Sequence, residues 1–370
     1  MTDQERAYQL ALSMINGVGF SLWKNFIEHF GNAGNLYNTS RSTLANVHKH
    51  HDVCKEILEK KHLSEAEQLI QKHNKNNIKI VSYFDDKYPK KLKQIPLPPM
   101  FLYCKGDYEL NNALRSVAIV GTRTPSSYGK IIASEIVEDL KKYNVEVVSG
   151  LAYGIDVIAH DVSIHNSIPT IAVLAGSLDK IYPSVHKPIA NKIIESGGML
   201  ISESPLGLIA ESYHFPARNR IIAGCTDLTI VIEAGGKSGS LITAQYANDY
   251  NRDVFAIPGN VNNPMAKGCN MLIQKNLAHL ITSADDVSYI MNWPEAPLKT
   301  HHSQDKKYNN LDQSSKQIVD IITEHPNISV EEILTKIDVQ ASNLSVTMMQ
   351  LEMENIISTV DGIRYNVKKS

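Results

Sequence analysis

The sequence is poor in cysteine, with only four among 370 residues: Cys54, Cys104, Cys225 and Cys269. They are widely scattered, and no two of them form a C-x-x-C pair. This spacing excludes a disulfide framework and gives no support to a zinc site. We therefore expect small buried thiols in a reducing cytoplasm, and a fold that needs neither metals nor disulfides.

The sequence also lacks an apolar run long enough to span a membrane. Its first residues, MTDQERAYQL, carry acidic side chains where a secretory signal peptide has a basic start and then an apolar stretch. These two features predict a cytoplasmic protein with no membrane partner.

A strong excess of charge is missing as well, since the net charge is -2 and the isoelectric point is near 6.7. This balance argues against a polybasic surface, so any site for a polyanion must be a local patch. The 14 histidines include the cluster HKHHD at 48–52 and the pair His301 and His302. Neither group has companion cysteines or carboxylates at ligand spacing, so we interpret them as surface side chains and expect no metal and no cofactor.

The first 75 residues show helical periodicity with short breaks, which predicts a small all-α domain over 1–75. The turn Gly17-Val18-Gly19 between two apolar helices is similar to a helix-hairpin-helix, in which turn amides face a phosphate. An ordinary corner between two helices, with glycines allowing positive φ, fits the same residues equally well.

From Ile78 the pattern changes to Val- and Ile-rich runs, most of which after Ser116 are separated by segments long enough for a helix. Such runs are typical of parallel strands buried on both faces of a sheet. We therefore predict an α/β core over 76–290, Rossmann-like and doubly wound around a mostly parallel sheet. The predicted strands lie in IKIVSYF, MFLYCKG, SVAIVG, VEVVSG, TIAVLAG, GMLISE, DLTIVIEAG and DVFAIPG.

The remaining residues separate into a polar segment and a small domain. Residues 291–310 lack apolar periodicity and predict a linker. Residues 311–370 read as three short helices followed by a hairpin, which predicts a winged-helix domain.

In an open parallel sheet, ligands bind beyond the carboxyl ends of the strands, near the point where the strand order reverses. The loops that follow the predicted strands are rich in glycine, hydroxyl and charged residues, namely GTRTPSSYGK, SGLAYGID, AGSLDKIYP, SESPLG and EAGGKSGS. Their glycines would let backbone amides approach an anion closely.

None of these loops carries a known nucleotide or nucleophile motif. Gly236-Lys237-Ser238 resembles the end of a Walker A loop, but Val231 stands where that motif begins with glycine. Ser238 lacks the G-x-S-x-G frame, because Ser240 replaces its last glycine. Asp156 and His160 lie one helical turn apart and could form an acid/base pair, but a structural role at a helix start is favoured.

Cationic side chains in these loops predict an anion site. Arg123 directly follows a predicted strand in VGTR, although an ion pair at the surface is the alternative for it. Arg218 and Arg220 in FPARNR, with Lys237 and Lys180, would complete a positive rim. Phe215, with its neighbours Tyr213 and His214, could stack on bases, while core packing is the alternative for Phe215. Cations on several loops favour an extended polyphosphate such as a single strand.

The same loops give the sequence a family resemblance. In order along the chain it contains AIVGTRTPSSYG, VVSGLAYGIDVIAH, TIAVLAGSLDKIYP, GMLISESPLG, FPARNRIIAG, DLTIVIEAGGKSGSLITAQYA, RDVFAIPGNV and KGCNMLIQKNLAHLI. This set resembles the DNA processing protein A family (DprA, also called Smf). The resemblance implies a Rossmann-like core that binds single-stranded DNA, forms a homodimer, protects incoming DNA and loads the recombinase RecA during natural transformation.

The resemblance also places the site and implies no catalytic step. The arginine of the family's G-[ST]-R loop falls on Arg123, and those of its F-P-x-R-N-R segment fall on Arg218 and Arg220. With the loop residues above, the expected DNA-binding set is Gly121, Thr122, Arg123, Ser149, Gly150, Lys180, Phe215, Arg218, Asn219, Arg220, Lys237 and Ser238.

The two ends and one turn fit the family less closely. Members often carry an amino-terminal sterile-alpha-motif-like or hairpin domain and a winged helix, and this sequence is similar in both regions. Residues 311–370, however, contain nine acidic and five basic residues, and the expected recognition helix SNLSVTMMQLEMEN has no Lys or Arg. Contact with protein, or support of the dimer, therefore competes with duplex binding as the role of this region. Asn251 stands where members commonly have glycine.

An enzyme acting on nucleotides is the alternative function. Nucleoside-monophosphate phosphoribohydrolases share a glycine-rich loop after a strand and a nearby acidic residue, and Glu233 would be that carboxylate. The loop here lacks the P-G-G-x-G-T pattern of that group.

Overall fold

A computed structural model describes residues 1–47, 51–295, 312–325, 328–337, 341–353, 356–359 and 364–367. It forms two compact units, Met1–Pro297 and Leu298–Ser370. Most of the predicted linker lies outside the described residues, as do His48, His50, His301 and His302.

The first unit begins with six helices that enclose an apolar core. Trp23 is fully buried there, and its indole N–H donates to the Gln9 carbonyl at 2.9 Å. Gly17 has φ of +87°, which allows the turn between the first two helices, and both Gly17 and Gly19 are exposed. The helices are α1 (Asp3–Met14), α2 (Phe20–Phe30), α3 (Ala33–Tyr37), α4 (Arg41–Val47), α5 (His51–Leu58) and α6 (Leu63–Lys75).

A sheet of nine strands follows, in the order β1-β2-β6-β5-β4-β3-β7-β8-β9. The pairs β1–β2 and β2–β6 are antiparallel, and all other neighbours are parallel. The prediction of a mostly parallel sheet is therefore confirmed. The strands are β1 (Lys79–Ser82), β2 (Phe101–Lys105), β3 (Arg115–Gly121), β4 (Val145–Ser149), β5 (Thr170–Leu174), β6 (Met199–Ser202), β7 (Leu228–Ile232), β8 (Asp253–Ala256) and β9 (His279–Leu280).

Helices cover both faces of this sheet because alternate residues of each strand point to opposite sides. Val117 and Ile119 of β3 pack with α7, α8 and α13, while Ala118 and Val120 pack with α10, α11 and α12. The core of α1 to α6 is continuous with side chains of β1, β2 and β6. The covering helices are α7 (Ser127–Leu140), α8 (Ile155–His165), α9 (Lys187–Glu195), α10 (His214–Cys225), α11 (Gly239–Asp249), α12 (Lys267–Gln274) and α13 (Ala284–Met291).

The strand order places a crevice at the carboxyl ends of the neighbouring strands β3 and β7. From β3 the chain steps outward through β4, β5 and β6, and it then returns to the other side of β3 with β7, β8 and β9. The loops after β3 and β7 therefore leave the sheet in opposite directions, which opens a cleft beyond their carboxyl ends.

In the part of the second unit that the structure describes, three helices combine with a small antiparallel sheet of order β10-β12-β11. Its core contains Ile318, Ile322, Ile333, Leu344 and Leu351. The elements are α14 (Gln313–Glu324), β10 (Ile328–Ser329), α15 (Val330–Lys336), α16 (Ala341–Met353), β11 (Ile357–Thr359) and β12 (Arg364–Val367).

Candidate nucleic-acid interface

A cavity of about 660 Å³ lies at the crevice between β3 and β7, and a smaller cavity adjoins it. The lining comes from the loop after β3, the first turns of α10 and the loop that enters α11. Together the two cavities gather every residue of the predicted set except Ser149 and Arg220. Those gathered are Gly121, Thr122, Arg123, Gly150, Lys180, Phe215, Arg218, Asn219, Lys237 and Ser238.

Arg123 stands at the junction of the two cavities and is exposed to solvent. Its guanidinium carbon lies 5.9 Å from the centre of the Phe215 ring. The start of α8 supports this loop, because the Ile155 amide donates to the Thr122 carbonyl at 3.2 Å. Gly154 has φ of +80° and a Cβ there would collide with Thr122 and Arg123, so the close approach requires glycine. Within the described residues, no carboxylate pairs with Arg123.

Lys237 and Ser238 line the same cavity as Arg123 and lie at the start of α11. Lys237 is exposed, and no acidic partner is found for it in the part of the chain that the structure describes. Ser238 is the N-cap residue but makes no capping bond, and its hydroxyl instead meets that of Ser240 at 2.8 Å. A helix start leaves amide N–H groups without helical partners, so this end of α11 suits an anion.

Arg218 lines both cavities but is buried, with 7% of its surface exposed. Its Nη1 donates to the Gly150 carbonyl at 2.8 Å and also to the Val173 carbonyl. Burial lowers the pKa of Arg218 to about 10, an effect that the nearby Asp156 carboxylate opposes. A Cβ on Gly150 would meet both the guanidinium and this carboxylate, so only glycine fits between them. Arg218 thus joins the loop after β4 to strand β5.

Arg220 and Ser149 lie outside both cavities. Two oxygens of Glu203 accept from Arg220 Nη2 at 2.5 and 2.6 Å, and the Leu97 carbonyl accepts from Nη1 at 2.7 Å. The Ser149 hydroxyl is buried and donates to the Ile119 carbonyl at 2.6 Å, which links β4 to β3. Neither side chain is brought to the cleft, although the positive rim was expected to include Arg220.

Lys180 belongs to the smaller cavity, where it contacts the loop between β6 and α10. Its Nζ donates to the Gly207 carbonyl at 3.3 Å, and the Asp179 carboxylate accepts from the Gly207 amide at 3.2 Å. The same loop is anchored on α6, because the Leu206 amide donates to His73 Nε2 at 3.0 Å. Helix α6 therefore helps to hold the loop between β6 and α10, which forms one wall of the cleft.

Tyr153 and Tyr182 also line the smaller cavity, and the sequence reasoning did not single them out. Both lie in the loops after β4 and β5, which had been selected for their glycine and charge. The signal that could have found them is an aromatic residue in a polar loop at the carboxyl end of a parallel strand.

Two side chains considered for catalysis, Glu233 and His160, have local structural roles. Glu233 is buried and accepts from the Ser126 amide at 2.8 Å and the Ser126 hydroxyl at 2.5 Å, so it holds the start of α7. His160 is fully buried, and its Nδ1 lies 2.7 Å from the Thr170 hydroxyl. Burial lowers the pKa of His160 to about 3, which makes it a weak base.

Two kinds of feature are absent from the described residues. No helix among them is long and apolar enough to cross a bilayer. They contain no group of three or more His, Cys, Asp or Glu side chains arranged to hold a metal ion.

The chain is similar to a known protein family and to several of its characterised members. The family described as DNA recombination-mediator protein A matches residues 79–292. Protein Smf from Synechocystis is 32% identical over 400 residues, which cover 99% of this chain and 99% of that protein. DNA processing protein DprA from Streptococcus pneumoniae is 42% identical over 206 residues, which cover 56% of this chain and 72% of that protein.

Two solved structures are also similar. The X-ray structure of DprA from Streptococcus pneumoniae superimposes with a TM-score of 0.64 at 32% identity, covering 80% of this chain and 99% of that one. DNA processing protein A from Helicobacter pylori, described for its single-stranded DNA binding mode, superimposes with a TM-score of 0.52 at 30% identity. That match covers 58% of this chain and 98% of the other.

Proposed function

The chain belongs to the DNA recombination-mediator protein A family, and we propose that the cleft between β3 and β7 binds single-stranded DNA. One observation carries this proposal: Arg123 and Lys237 are exposed cations that line the same cavity of about 660 Å³, which Phe215 also lines. Cations track phosphates, and a ring stacks on bases that a duplex would hide. The Helicobacter pylori relative, described as binding single-stranded DNA, supports the same ligand.

Within this proposal some of the predicted residues contact the strand, and the others act by holding the fold around it. Arg123, Lys237 and Lys180 supply positive charge, and the backbone from Gly121 to Arg123 and at the start of α11 supplies amides. Arg218 and Asn219 hold the walls of the cleft, since Arg218 joins α10 to the loop after β4 and the Asn219 amide donates to the Gly239 carbonyl at the start of α11 at 3.3 Å. Arg220 and Ser149 act through the fold and make no contact with the strand.

The wider role that we propose is that of a recombination mediator without a catalytic step. A homodimer in the cytoplasm would protect incoming single strands and deliver them to RecA, as in natural transformation. The sterile-alpha-motif-like or hairpin character of residues 1–75 and the winged-helix character of 311–370 belong to the same proposal. The acidic balance of 311–370 supports contact with protein over duplex binding.

The alternative of a nucleotide-processing enzyme finds little support. Glu233 is buried against Ser126 at the start of α7 and is absent from the lining of the larger cavity. Each oxygen of Glu233 accepts a hydrogen bond from Ser126, so this carboxylate serves to hold the start of α7.

The experiment that tests the proposal compares a fluorescent single-stranded oligonucleotide with its duplex over a range of salt concentrations. We expect tight binding of the single strand, and a slope of log affinity against log salt of about −0.7 for each phosphate neutralised. The double variant Arg123→Ala with Lys237→Ala should weaken binding and reduce this slope by roughly 1.4. The matched control, Lys192→Ala with Lys275→Ala, removes two exposed charges outside the cleft.

Equal affinity for single strand and duplex, or equal slopes for the two double variants, would contradict the proposed site. Light scattering at several protein concentrations tests the homodimer separately, and a monomer at all of them would remove that part of the proposal.

A further inference from the structure

Two tyrosines at the smaller cavity are exposed without any evident role in the fold. Tyr153 follows β4 and is 46% exposed, while Tyr182 follows β5 and is 59% exposed. Within the described residues, neither hydroxyl makes a hydrogen bond. Rings this exposed add little to a hydrophobic core, and Tyr182 also lines the larger cavity of about 660 Å³, where a ligand has room to contact it.

Both rings are nevertheless held in position by neighbouring rings. Tyr182 makes a T-shaped contact with Phe215, with ring centres 5.5 Å apart. Tyr153 makes a T-shaped contact with His186 at 5.0 Å. His186 is buried, and its Nδ1 lies 2.8 Å from the Leu151 carbonyl, which fixes the imidazole beneath Tyr153. A ring that is already oriented loses little entropy when it stacks on a ligand.

Cations and aromatic rings line this cavity together. Arg123 stands beside Phe215 and Tyr182, and Lys180 stands on the same cavity as Tyr153. This arrangement of positive charge with aromatic faces is the one used to bind single strands without regard to sequence, because every base has a stacking face. A duplex cannot use it, since its bases already stack on one another.

We propose that Tyr182 and Tyr153 stack on bases of a single strand and form an extension of the site beyond Phe215. The inference rests on the proposed function, because it adds a base-binding surface to the same cleft. The strand would run from Lys237 and Arg123, past Phe215, onto the two tyrosines beside Lys180. These tyrosines contribute through bases, whereas Arg123 and Lys237 contribute through phosphates.

The test measures the affinity of a fluorescent single strand for Tyr153→Ala, Tyr182→Ala and the matching phenylalanine variants. We expect each alanine variant to bind roughly five- to a hundredfold more weakly, with the salt slope unchanged. The phenylalanine variants should bind as the unaltered protein does, since they keep the ring. Tyr289→Ala is the matched control, because Tyr289 is 87% exposed on α13 and does not line either cavity.

A second ligand separates bases from phosphates. An oligonucleotide with abasic sites over its central region keeps the phosphates but removes the bases. On this ligand the alanine variants and the unaltered protein should bind equally, because there is nothing left to stack. Alanine variants that match the unaltered protein on the normal strand, or that lose as much on the abasic one, would overturn the inference.

The outcome also distinguishes this inference from the proposed function. If the unaltered protein does not bind single strands, the proposed function fails. If it binds them with a salt slope that depends on Arg123 and Lys237 while the tyrosine variants stay normal, only the base-stacking extension fails. Unfolding curves that coincide for all variants show that a loss of affinity comes from the site.

Discussion

The Arg123 guanidinium lies against the face of Phe215, with 5.9 Å between its central carbon and the ring centre. Both side chains line both cavities, so this pair stands where the two cavities meet. A planar guanidinium stacks on a ring better than an ammonium does, and it still presents N–H groups to a phosphate. The pair therefore combines a phosphate contact and a base contact at one point of the cleft.

Arg123→Lys should separate these two contacts. We expect it to keep the salt slope for single-stranded DNA, because the charge remains, and to lose roughly two- to fivefold in affinity, because the stack on Phe215 is weaker. In a Phe215→Leu background, the same lysine substitution should cost nothing further. A double-mutant cycle from binding titrations measures this coupling, and additive losses would contradict it.

Arg220→Ala should affect stability more than binding. The guanidinium is held by Glu203 and the Leu97 carbonyl, outside both cavities. We expect the free energy of unfolding to fall by about 1 kcal/mol and the salt slope to stay unchanged. Arg123→Ala, in contrast, should lower the slope by about 0.7. Denaturant titration and the salt series together check this, and a lower slope for Arg220→Ala would return Arg220 to the DNA contacts.

Arg218→Met should destabilise the fold strongly, because the buried Asp156 carboxylate would lose the larger of its two cationic interactions and the Gly150 and Val173 carbonyls would lose their donor. Loss of one member of a buried charge pair costs about 3 kcal/mol or more. Adding Asp156→Asn should recover part of the loss, since the uncompensated charge is removed. Urea unfolding of the two single variants and the double variant measures this coupling. Losses that simply add would show that the two charges are independent.

The positions of Arg123, Arg218 and Arg220 show which parts of the site the sequence can predict. The periods of the Val- and Ile-rich runs were sufficient to predict a mostly parallel sheet, which is confirmed, and to select the loops that line the cleft. Composition cannot show where a long side chain points. Arg218 and Arg220 are two residues apart on α10, so their side chains leave the helix in different directions.

Other features depend on contacts between distant residues. The pairing of Arg220 with Glu203 joins positions 17 residues apart, and the His73 bond to Leu206 joins positions 133 apart. No local pattern encodes such pairs. The two-residue strand β9 has exposed side chains, so it lacks the buried apolar run that reveals a strand in the sequence.

His73 should control the mobility of the loop between β6 and α10. Its Nε2 accepts from the Leu206 amide at 3.0 Å, while its Nδ1 lies 2.7 Å from the Leu69 carbonyl. His73→Ala removes the anchor, so we expect amides near Leu206 to exchange with solvent roughly tenfold faster. His73→Gln keeps an acceptor and should restore part of the protection. Hydrogen exchange measured by mass spectrometry tests this, and unchanged exchange in His73→Ala would show that the anchor is not needed.

Low pH should affect the same contact between His73 and the Leu206 amide. Burial lowers the pKa of His73, so the folded protein keeps the imidazole neutral while the unfolded chain takes up a proton. Stability therefore falls as the pH drops below about 6.5, the ordinary value for histidine. His73→Gln should weaken this acid dependence in urea titrations, and an identical dependence in both proteins would contradict the assignment.

Glu146 should produce the opposite dependence. It lies on β4 with its carboxyl group buried, near Tyr108, Lys91 and Asp227. Burial raises the pKa of Glu146 to about 7, although the hydrogen bond from Tyr108 and the charge of Lys91 lower it. The folded state thus disfavours the ionised carboxylate. Stability is unaffected below the unfolded pKa of about 4.3, falls as the pH rises towards 7, and then levels off.

Glu146→Gln removes the group that ionises and keeps a similar shape. We expect the variant to be about 3 kcal/mol more stable than the unaltered protein near pH 8, and about 1 kcal/mol more stable near pH 5. Glu138→Gln, at an exposed position on α7, is the control and should differ by less than about 0.5 kcal/mol at both pH values. Urea unfolding at the two pH values gives the comparison. A stability difference for Glu146→Gln that does not change with pH would mean that this carboxyl group keeps an ordinary pKa in the folded protein, and that the polar cluster around Tyr108 and Lys91 stabilises its ionised form.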